Sequence, residues 1–469
     1  MRILSFLPTH EPPAYLRAMA AAGHEVHVVT TVRRRESPRE VDGVQVWPLG
    51  YWWRAKQASQ PDVLVTVAGD RQAERLMPNL RRTPQLVLPD TDADFGEFEE
   101  ACIRRLPAHR QAEARVTVPS DPLAGERTKV VAWIHFGVPY RRAGSETMLQ
   151  TMMRALRNTG VGVLVVCSSM PEAPPSWEVD GVPYIHLGPL AAELLFRSMR
   201  PQVMVTHHNY ADRAVGLAKE IGARSVLLMH SDYDYAARSM QSGPDLIVYN
   251  TEWVRASLAT RYLEVDRTPS LIVHPPVVPE EHRAPATGDR VTLVNLSSDK
   301  GVYTWRGVAR LLPQLPFLGV TGAHGIQVTQ PLLPNLRVIP QTSDMRGEVW
   351  ANTRVLFVPS VYESYGMAAV EALASGIPVI AHPTAGLREA LGDGATFIDR
   401  DDHRAWAQAV ASLYADGDRR AAASAAALAR SAYLANQVRT DLKVWVDAVE
   451  DLARGVFEQR GTLAGVSAG

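Results

Sequence analysis

Short apolar runs alternate with longer stretches of helical periodicity along almost the whole chain. This alternation is typical of βαβ units, in which helices cover both faces of a parallel sheet. The pattern therefore predicts an α/β fold with parallel sheets. A first set of strands is expected at residues 3–7, 26–30, 63–67, 130–134, 163–167, 203–206, 226–229, 246–249 and 271–273. A second set is expected at residues 291–296, 317–320, 336–339, 355–358, 378–381 and 395–398.

Proline and glycine clusters divide this pattern into blocks. The run His274-Pro275-Pro276-Val277-Val278-Pro279 separates the two sets of strands, because proline removes the amide donors that a continuing ladder needs. A Pro- and Gly-containing stretch at 118–128 is an earlier linker. We therefore expect an N-terminal α/β block at 1–117, a second domain at 129–285 and a third at 286–438. An amphipathic helix at 439–460 and a disordered tail at 461–469 complete the prediction.

The first block shares short sequence features with the second. Val41-Asp42-Gly43-Val44 and Val179-Asp180-Gly181-Val182 each lead to a Leu-Gly pair, and 61–66 parallels 201–206 in the same order. A third pair is Asp90 to Asp94 and His230 to Asp234. The features indicate either that 1–117 is a degenerate duplicate of the second block or that two Rossmann-like units share turn chemistry.

Composition and charge exclude several classes of protein. The 469 residues include 49 Lys plus Arg and 50 Asp plus Glu. The net charge of −1 therefore gives no overall positive electrostatic field that would attract nucleic acid. Two cysteines, Cys102 and Cys167, form neither a disulfide framework nor a zinc set. The N-terminal apolar run is too short for a signal peptide, and other runs fall well short of the ~20 residues that span a bilayer. We expect a cytoplasmic protein.

The segment from Val358 to Ala381 carries the most specific chemistry. It reads as a strand, a turn with Glu363 and Gly366, a helix with Glu371, and another strand. Ligands of open parallel sheets lie beyond the carboxyl ends of strands, and the first amides of a helix attract anions. Two carboxylates that accept hydrogen bonds from hydroxyl groups on either side of an anion site suit a nucleotide sugar.

Glu363 and Glu371, with seven residues between them, resemble the E-x7-E motif of retaining glycosyltransferase family 4, whose members have the GT-B fold of two Rossmann-like domains. The run from Ala372 to Ala381 and the turn from Gly386 to Glu389 are similar to the family's next segments. The resemblance covers most of 290–435. It implies that the second block is the acceptor-side domain, that 286–438 is the donor-side domain, and that the C-terminal helix crosses back to the acceptor side.

The resemblance also implies roles for individual residues. Lys300 matches the lysine that reaches the donor diphosphate, whereas Asn295 stands where the family usually has arginine. This difference leaves two alternatives: Lys300 and backbone amides suffice, or another cation such as Arg306 substitutes. Ser364, Tyr365 and Gly366 are expected beside the diphosphate, and Gly144 matches a glycine-rich loop that faces it across the cleft.

Histidines at strand ends are expected on the acceptor side. His230 matches the family histidine beside the transferred sugar, and with Glu363 it is the predicted catalytic residue. His207, His208, Asn209 and Asp232 are the predicted acceptor-side residues. No carboxylate or cysteine accompanies the paired histidines at ligand spacing, so neither a metal nor another cofactor is expected.

The sequence thus predicts an enzyme that transfers a sugar from a nucleotide-diphosphate sugar to an unidentified acceptor, and the resemblance adds retention of anomeric configuration. Two alternatives remain open: a non-catalytic nucleotide-sugar-binding scaffold, or a GT-B-fold sugar-nucleotide epimerase or phosphorylase. The block 1–117 is expected to dock the acceptor or to mediate self-association.

Overall fold

The structure is a computed structural model that describes residues 1–8, 11–22, 24–31, 37–59, 61–67, 70, 73, 83, 85–88, 101–102, 105, 120–141, 143–168, 170, 173–285, 287–322, 325–330 and 333–457. The motif at Asp90 to Asp94, the first residues of the predicted linker and the tail at 461–469 lie outside these ranges. The chain forms two compact units, one of residues 1–124 with 186–199 and one of 125–185 with 200–469.

The first unit contains a single six-stranded sheet with the order β3-β4-β2-β1-β5-β6. The described ladders are parallel except for the β3/β4 hairpin. Its strands are β1 Arg2–Leu7, β2 Glu25–Thr30, β3 Arg39–Val41, β4 Val44–Pro48, β5 Val63–Val67 and β6 Gln85–Leu88. The central strands are buried on both faces, which is why they appear in the sequence as continuous apolar runs.

The second unit contains an eight-stranded sheet and a six-stranded sheet. The larger sheet has the order β14-β13-β12-β11-β7-β8-β10-β9, with β7 Lys129–Ile134, β8 Gly162–Cys167, β9 Ser176–Val179, β10 Val182–His186, β11 Val203–Thr206, β12 Arg224–Met229, β13 Leu246–Tyr249 and β14 Ser270–Ile272. The smaller sheet is parallel with the order β17-β16-β15-β18-β19-β20. Its strands are β15 Arg290–Val294, β16 Phe317–Val320, β17 Leu336–Ile339, β18 Thr353–Val358, β19 Val379–Ala381 and β20 Ala395–Phe397.

The α-helices of the described residues connect these strands. They are α1 Ala14–Ala21, α2 Trp52–Ser59, α3 Gly144–Arg157, α4 Pro189–Met199, α5 Ala211–Ile221, α6 Asp234–Ala237, α7 Glu252–Ala259, α8 Glu264–Arg267, α9 Pro279–His282, α10 Val302–Leu311, α11 Met367–Leu373, α12 Ala385–Leu391, α13 His403–Ala415 and α14 Gly417–Arg454. In the described part of the chain, no helix combines the length and the apolar character needed to cross a bilayer.

The sequence pattern did not predict the β3/β4 and β9/β10 hairpins, although the sequence motif repeated between the two blocks contains their turns. The Val-Asp-Gly-Val runs form the turns of β3/β4 and β9/β10. Asp42 and Asp180 both have φ of 48°, and Gly43 and Gly181 both have φ of 79°. Two successive residues with positive φ are the requirement of a type I′ turn, which favours Asp-Gly.

The sheets of the two units share one strand order. In the first unit the order is hairpin, second strand, first strand, and then β5 and β6. Read from its other edge, the eight-stranded sheet begins with the β9/β10 hairpin and continues through β8, β7, β11 and β12. Each strand of the first sheet therefore has a counterpart at the same position and in the same chain order, as both duplication and two similar Rossmann-like units would give.

The C-terminal helix is longer than the sequence pattern indicated. It begins at Gly417 rather than near residue 439, because Asp416 caps it by accepting hydrogen bonds from the amides of Asp418 and Arg419. Its last part belongs to the core under the eight-stranded sheet, and the Trp445 indole donates to the Met152 carbonyl at 3.0 Å. One continuous helix thus packs on both domains of the second unit.

Candidate active site

A cavity of about 380 Å³ lies between the two Rossmann-like domains of the second unit. Residues at or beyond the carboxyl ends of strands in both sheets line it, as expected for an open parallel sheet. It collects most of the predicted site residues, namely Gly144, His208, His230, Asn295, Lys300, Glu363, Ser364, Tyr365 and Gly366. His207, Asn209, Asp232 and Glu371 are not among its lining residues.

Lys300 and Glu363 form an ion pair in the wall of this cavity. Lys300 Nζ lies 2.5 Å from Glu363 Oε1, and the Ser360 hydroxyl donates to the same oxygen at 2.9 Å. The side chains of Lys300 and Glu363 are 30% and 17% exposed. The pair therefore presents a cation and a carboxylate side by side to any ligand that enters the cavity.

Glycines fix the loop that carries Glu363. Gly366 has φ of 91°, a left-handed conformation, and a Cβ there would lie 2.6 Å from Leu387 Cδ2. Gly386 lies at the start of α12 against the same loop, where a Cβ would overlap the Glu363 carbonyl. The sequence motif around Gly386 thus has a structural cause, because α12 can approach the Glu363 loop this closely only with glycine at this position.

The loop before α3 approaches the start of α11 from the opposite domain. A Cβ on Gly144 would lie 3.3 Å from Met367 Sδ, and both Gly144 and Ser145 line the cavity. The residue before α3, Ala143, makes no side-chain capping hydrogen bond. Gly144 and Ser145 bring the N-terminus of α3 to the cavity, and the first amides of a helix favour an anionic ligand.

Asn250 is a site residue that the sequence analysis missed. Its side chain is 2% exposed, and its Nδ2 donates to Ser364 Oγ at 3.0 Å and to the His230 carbonyl at 3.1 Å. It joins a predicted residue of each domain. Asn250 directly follows β13, so the rule that ligands lie beyond strand ends contained the signal that would have identified it.

The polar groups of Asp232 are hydrogen-bonded to neighbouring residues and do not project into the cleft. Its Oδ1 accepts from the Tyr362 hydroxyl at 3.0 Å, its Oδ2 accepts from Ser257 at 2.6 Å, and its amide donates to Tyr362 at 3.2 Å. Tyr362 in turn stacks on Tyr233 with ring centres 4.5 Å apart. Burial raises the pKa of the Tyr362 phenol, which keeps it a neutral donor.

Asn295 is the residue that shapes its turn. It has φ of 70°, and its Oδ1 accepts from the Ser297 amide and from Gln327 Nε2. Arg306 is buried, and its guanidinium donates to the Val328 and Gln330 carbonyls. Arg306 does not line the cavity, so it does not replace the expected arginine there. Lys300 does line the cavity, and the alternative that it and backbone amides suffice stays a prediction.

The side chains of Glu371 and Tyr365 contact residues that do not line the cavity. The Glu371 carboxylate, 14% exposed, lies 3.7 Å from His282 Nδ1 of α9. Tyr365 contributes to the cavity wall, but its ring belongs to the core under α11 and α12. The ribose contact predicted for Glu371 stays a prediction.

Histidines cluster on the acceptor-side wall. His207 is completely buried, and its Nδ1 lies 2.9 Å from His230 Nε2. His208 has φ of 52° and lines the cavity, whereas Asn209 is exposed outside it. Burial, together with the neighbouring histidines, lowers the pKa of both His207 and His230 well below the usual value. Both imidazoles are therefore neutral at neutral pH.

His274 forms a buried ion-pair network that the sequence did not indicate. Its Nδ1 lies 2.7 Å from Asp441 Oδ2 of α14, and its Nε2 lies 3.1 Å from Glu389 Oε1 of α12. Burial opposes protonation, but the hydrogen bonds to the two carboxylates outweigh it and raise the pKa of His274 to about 9. Glu389 also accepts from the Glu252 and Trp253 amides of α7. The network thus joins elements of both domains.

Comparison with known proteins places these features in context. Residues 331–430, which include Glu363 and Glu371, match the family described as Glycosyl transferases group 1. A D-inositol 3-phosphate glycosyltransferase of Nocardia farcinica is 31% identical over 193 residues, or 40% of this chain. The match spans 38% of the length of that relative.

Solved structures show the same architecture over a larger part of the chain. Sucrose-phosphate synthase of Thermosynechococcus elongatus covers 71% of this chain and 99% of its own, with a TM-score of 0.55 and 16% identity. Anabaena HepE in complex with UDP and glucose covers 69% and 100%, with a TM-score of 0.55 and 12% identity. The predicted α/β fold class, with a GT-B-type pair of Rossmann-like domains and an additional N-terminal α/β unit, is confirmed.

Proposed function

We propose that this protein is a glycosyltransferase that moves a sugar from a nucleoside diphosphate sugar to an acceptor hydroxyl with retention of anomeric configuration. The observation that carries the proposal is the Lys300–Glu363 pair in the cavity wall, on the loop fixed by Gly366 and Gly386. The match of 331–430 to a glycosyltransferase family supports it. Retention rests on the resemblance of the Glu363 to Glu371 segment to a retaining family.

In this proposal the donor-side domain binds the nucleotide sugar. Lys300 and the amides at Ser364 to Gly366 hold the diphosphate, Glu363 accepts hydrogen bonds from sugar hydroxyls, and Glu371 accepts from the ribose. When the bond from the anomeric carbon to the phosphate oxygen breaks, negative charge develops on the nucleoside diphosphate. A preorganised cation and amides beside it lower the barrier.

In this proposal the Lys300 ammonium has two alternative partners, the Glu363 carboxylate and the donor diphosphate. Before the donor binds, its ammonium is paired with Glu363 at 2.5 Å. A diphosphate would compete for the ammonium and release the Glu363 carboxylate toward the sugar. Binding of the diphosphate and orientation of the carboxylate are then one coupled event, which ties recognition of the sugar to recognition of the nucleotide.

In this proposal His230 and His208 form the acceptor side of the cleft, and Asn250 joins that side to the donor side by its hydrogen bond to Ser364. We assign His230 to the space beside the transferred sugar. The family match of the donor-side segment does not define an acceptor, and His207, Asn209 and Asp232 lie behind or beside the cavity. We assign the first unit to acceptor docking or self-association.

Incubation with UDP-glucose and a panel of other nucleotide sugars, alone and with inositol phosphates or simple glycosides, tests the proposal. We expect slow donor hydrolysis without an acceptor and a transferred sugar of unchanged anomeric configuration, detected by NMR of the product. Glu363→Ala should lose most turnover. An inverted product would refute retention, an epimerised donor or phosphate-dependent cleavage would assign a different reaction, and binding without any turnover would indicate a scaffold.

A further inference from the structure

Three adjacent parallel strands of the eight-stranded sheet each lead into a histidine. His135 follows β7, His207 follows β11 and His230 follows β12, and these strands are neighbours in the order β12-β11-β7. Because the carboxyl ends of parallel strands meet at one edge, the three side chains converge there. His208 joins them from the next position along the chain.

The imidazoles of His207, His208 and His230 are close enough to share one ion. One ring nitrogen from each lies within 4.8 Å of the others. The ring centres of His207 and His208 are 4.6 Å apart, and those of His208 and His230 are 5.2 Å apart. His135 flanks the group, with its ring centre 6.0 Å from those of both His207 and His208.

His207 carries a buried nitrogen that the described residues leave without a hydrogen bond. The residue is completely buried, its Nδ1 faces His230, and its Nε2 has no partner within the described structure. Burying a polar atom without a partner costs about 1–3 kcal/mol, so this nitrogen is open to a ligand. The hydrogen bond between His207 Nδ1 and His230 Nε2 occupies one nitrogen of each ring, so an ion would either replace this hydrogen bond or be bound through the other nitrogens of the two rings. This observation is independent of the spacing of the three rings.

We propose that His207, His208 and His230 bind a divalent transition-metal ion, Zn²⁺ in the first place, at the acceptor-side wall of the cavity. A set of imidazole nitrogens suits Zn²⁺ and its transition-metal neighbours, whereas Mg²⁺ and Ca²⁺ require oxygen ligands. Since His208 and His230 line the cavity, the ion is reachable from it. The proposal goes beyond sugar transfer and does not depend on it.

Calorimetric titration of the full chain with ZnCl₂ and with MgCl₂ tests this site. We expect one Zn²⁺ per chain with roughly micromolar or tighter affinity and no comparable binding of Mg²⁺. Removing outer-shell partners of metal-binding histidines costs roughly ten- to a hundredfold in affinity, so removing a ligand should cost at least as much. His208→Asn is the decisive variant, because asparagine tolerates the positive φ of 52° at this position.

His403→Ala is the matched control, because this histidine lies at the start of α13 in the other domain and should leave the affinity unchanged. Cobalt substitution adds a readout on the unmodified protein: Co²⁺ should give a visible d–d absorption band that Zn²⁺ removes. Failure of wild type to bind Zn²⁺, equal affinity in His208→Asn and wild type, or loss of binding in His403→Ala would overturn the proposal.

Discussion

In the proposed function, Lys300 is the residue whose charge would distinguish a nucleoside diphosphate from a nucleoside. Its ammonium lies in the cavity wall, where a phosphate oxygen would replace the Glu363 carboxylate as its partner. We expect Lys300→Met to weaken UDP roughly ten- to a hundredfold, which corresponds to about 1.5–3 kcal/mol for a charge-assisted hydrogen bond. Uridine affinity should change little. Isothermal titration with both ligands measures the difference, and equal losses would assign Lys300 a structural role.

Glu371 allows a test that separates ribose recognition from its contact with His282. If the carboxylate accepts hydrogen bonds from the ribose, Glu371→Ala should weaken both uridine and UDP roughly tenfold or more. His282→Ala removes the partner 3.7 Å away and leaves the carboxylate in place, so it should keep affinity within about twofold. The same loss of affinity in both variants would mean that the contact between Glu371 and His282 stabilises α11 and that Glu371 does not bind the ribose.

Gly386 determines how closely α12 approaches the Glu363 loop. A methyl group at this position would overlap the Glu363 carbonyl, so the loop must move. We expect Gly386→Ala to reduce donor turnover at least about tenfold and to destabilise the fold by roughly 1–3 kcal/mol. Gly216→Ala in α5 is the control, because a Cβ there meets nothing within 4 Å. Turnover and thermal unfolding of both variants check this, and unchanged turnover in Gly386→Ala would contradict it.

We expect the ion pairs of His274 to make the stability of the second unit depend on pH. Because the pKa of His274 is raised to about 9, the stabilisation is fully present below the unfolded value of about 6.5 and is lost as pH rises through 9. The difference corresponds to about 3 kcal/mol. His274→Gln should remove this dependence, which melting curves between pH 6 and pH 10 would show. A variant that keeps the wild-type slope would exclude His274 as its source.

Strands that carry an apolar run could be predicted from the sequence, whether or not both of their faces are buried. Most of the predicted strands are buried on both faces, and the partly exposed edge strands β14, β17 and β20 were predicted as well. By contrast, β3 and β9 are exposed or half-exposed edge strands that carry no apolar run. Likewise, the motif around Glu363 identified the donor side from local sequence. The contact of Asn250 with Ser364 and that of His274 with Asp441 join residues more than 100 positions apart, and only the tertiary fold brings them together.

At the scale of the whole molecule, the shared strand order raises the question of how many nucleotide sites the chain has. At the place where the second unit has Gly144 and α3, the first unit has Pro12 and Pro13 before α1, and proline has no amide to offer an anion. We therefore expect one UDP per chain in the wild type, and one correspondingly weaker site in Lys300→Met. Titration of wild type to two equivalents per chain would contradict this.

The position of α14 at the end of the described chain determines when the acceptor-side domain can finish folding. Its core begins with Val130 and Leu149, and Trp445, Val449 and Leu452 of α14 complete it. During synthesis the whole donor-side domain is therefore made before residues 445–452 leave the ribosome and complete that core. Contacts of such long sequence separation form late and leave apolar surface exposed for longer. The donor-side domain, whose core includes Ala427 and Leu434 from the first part of α14, can complete its core first, and the acceptor-side domain needs the last part of the same helix.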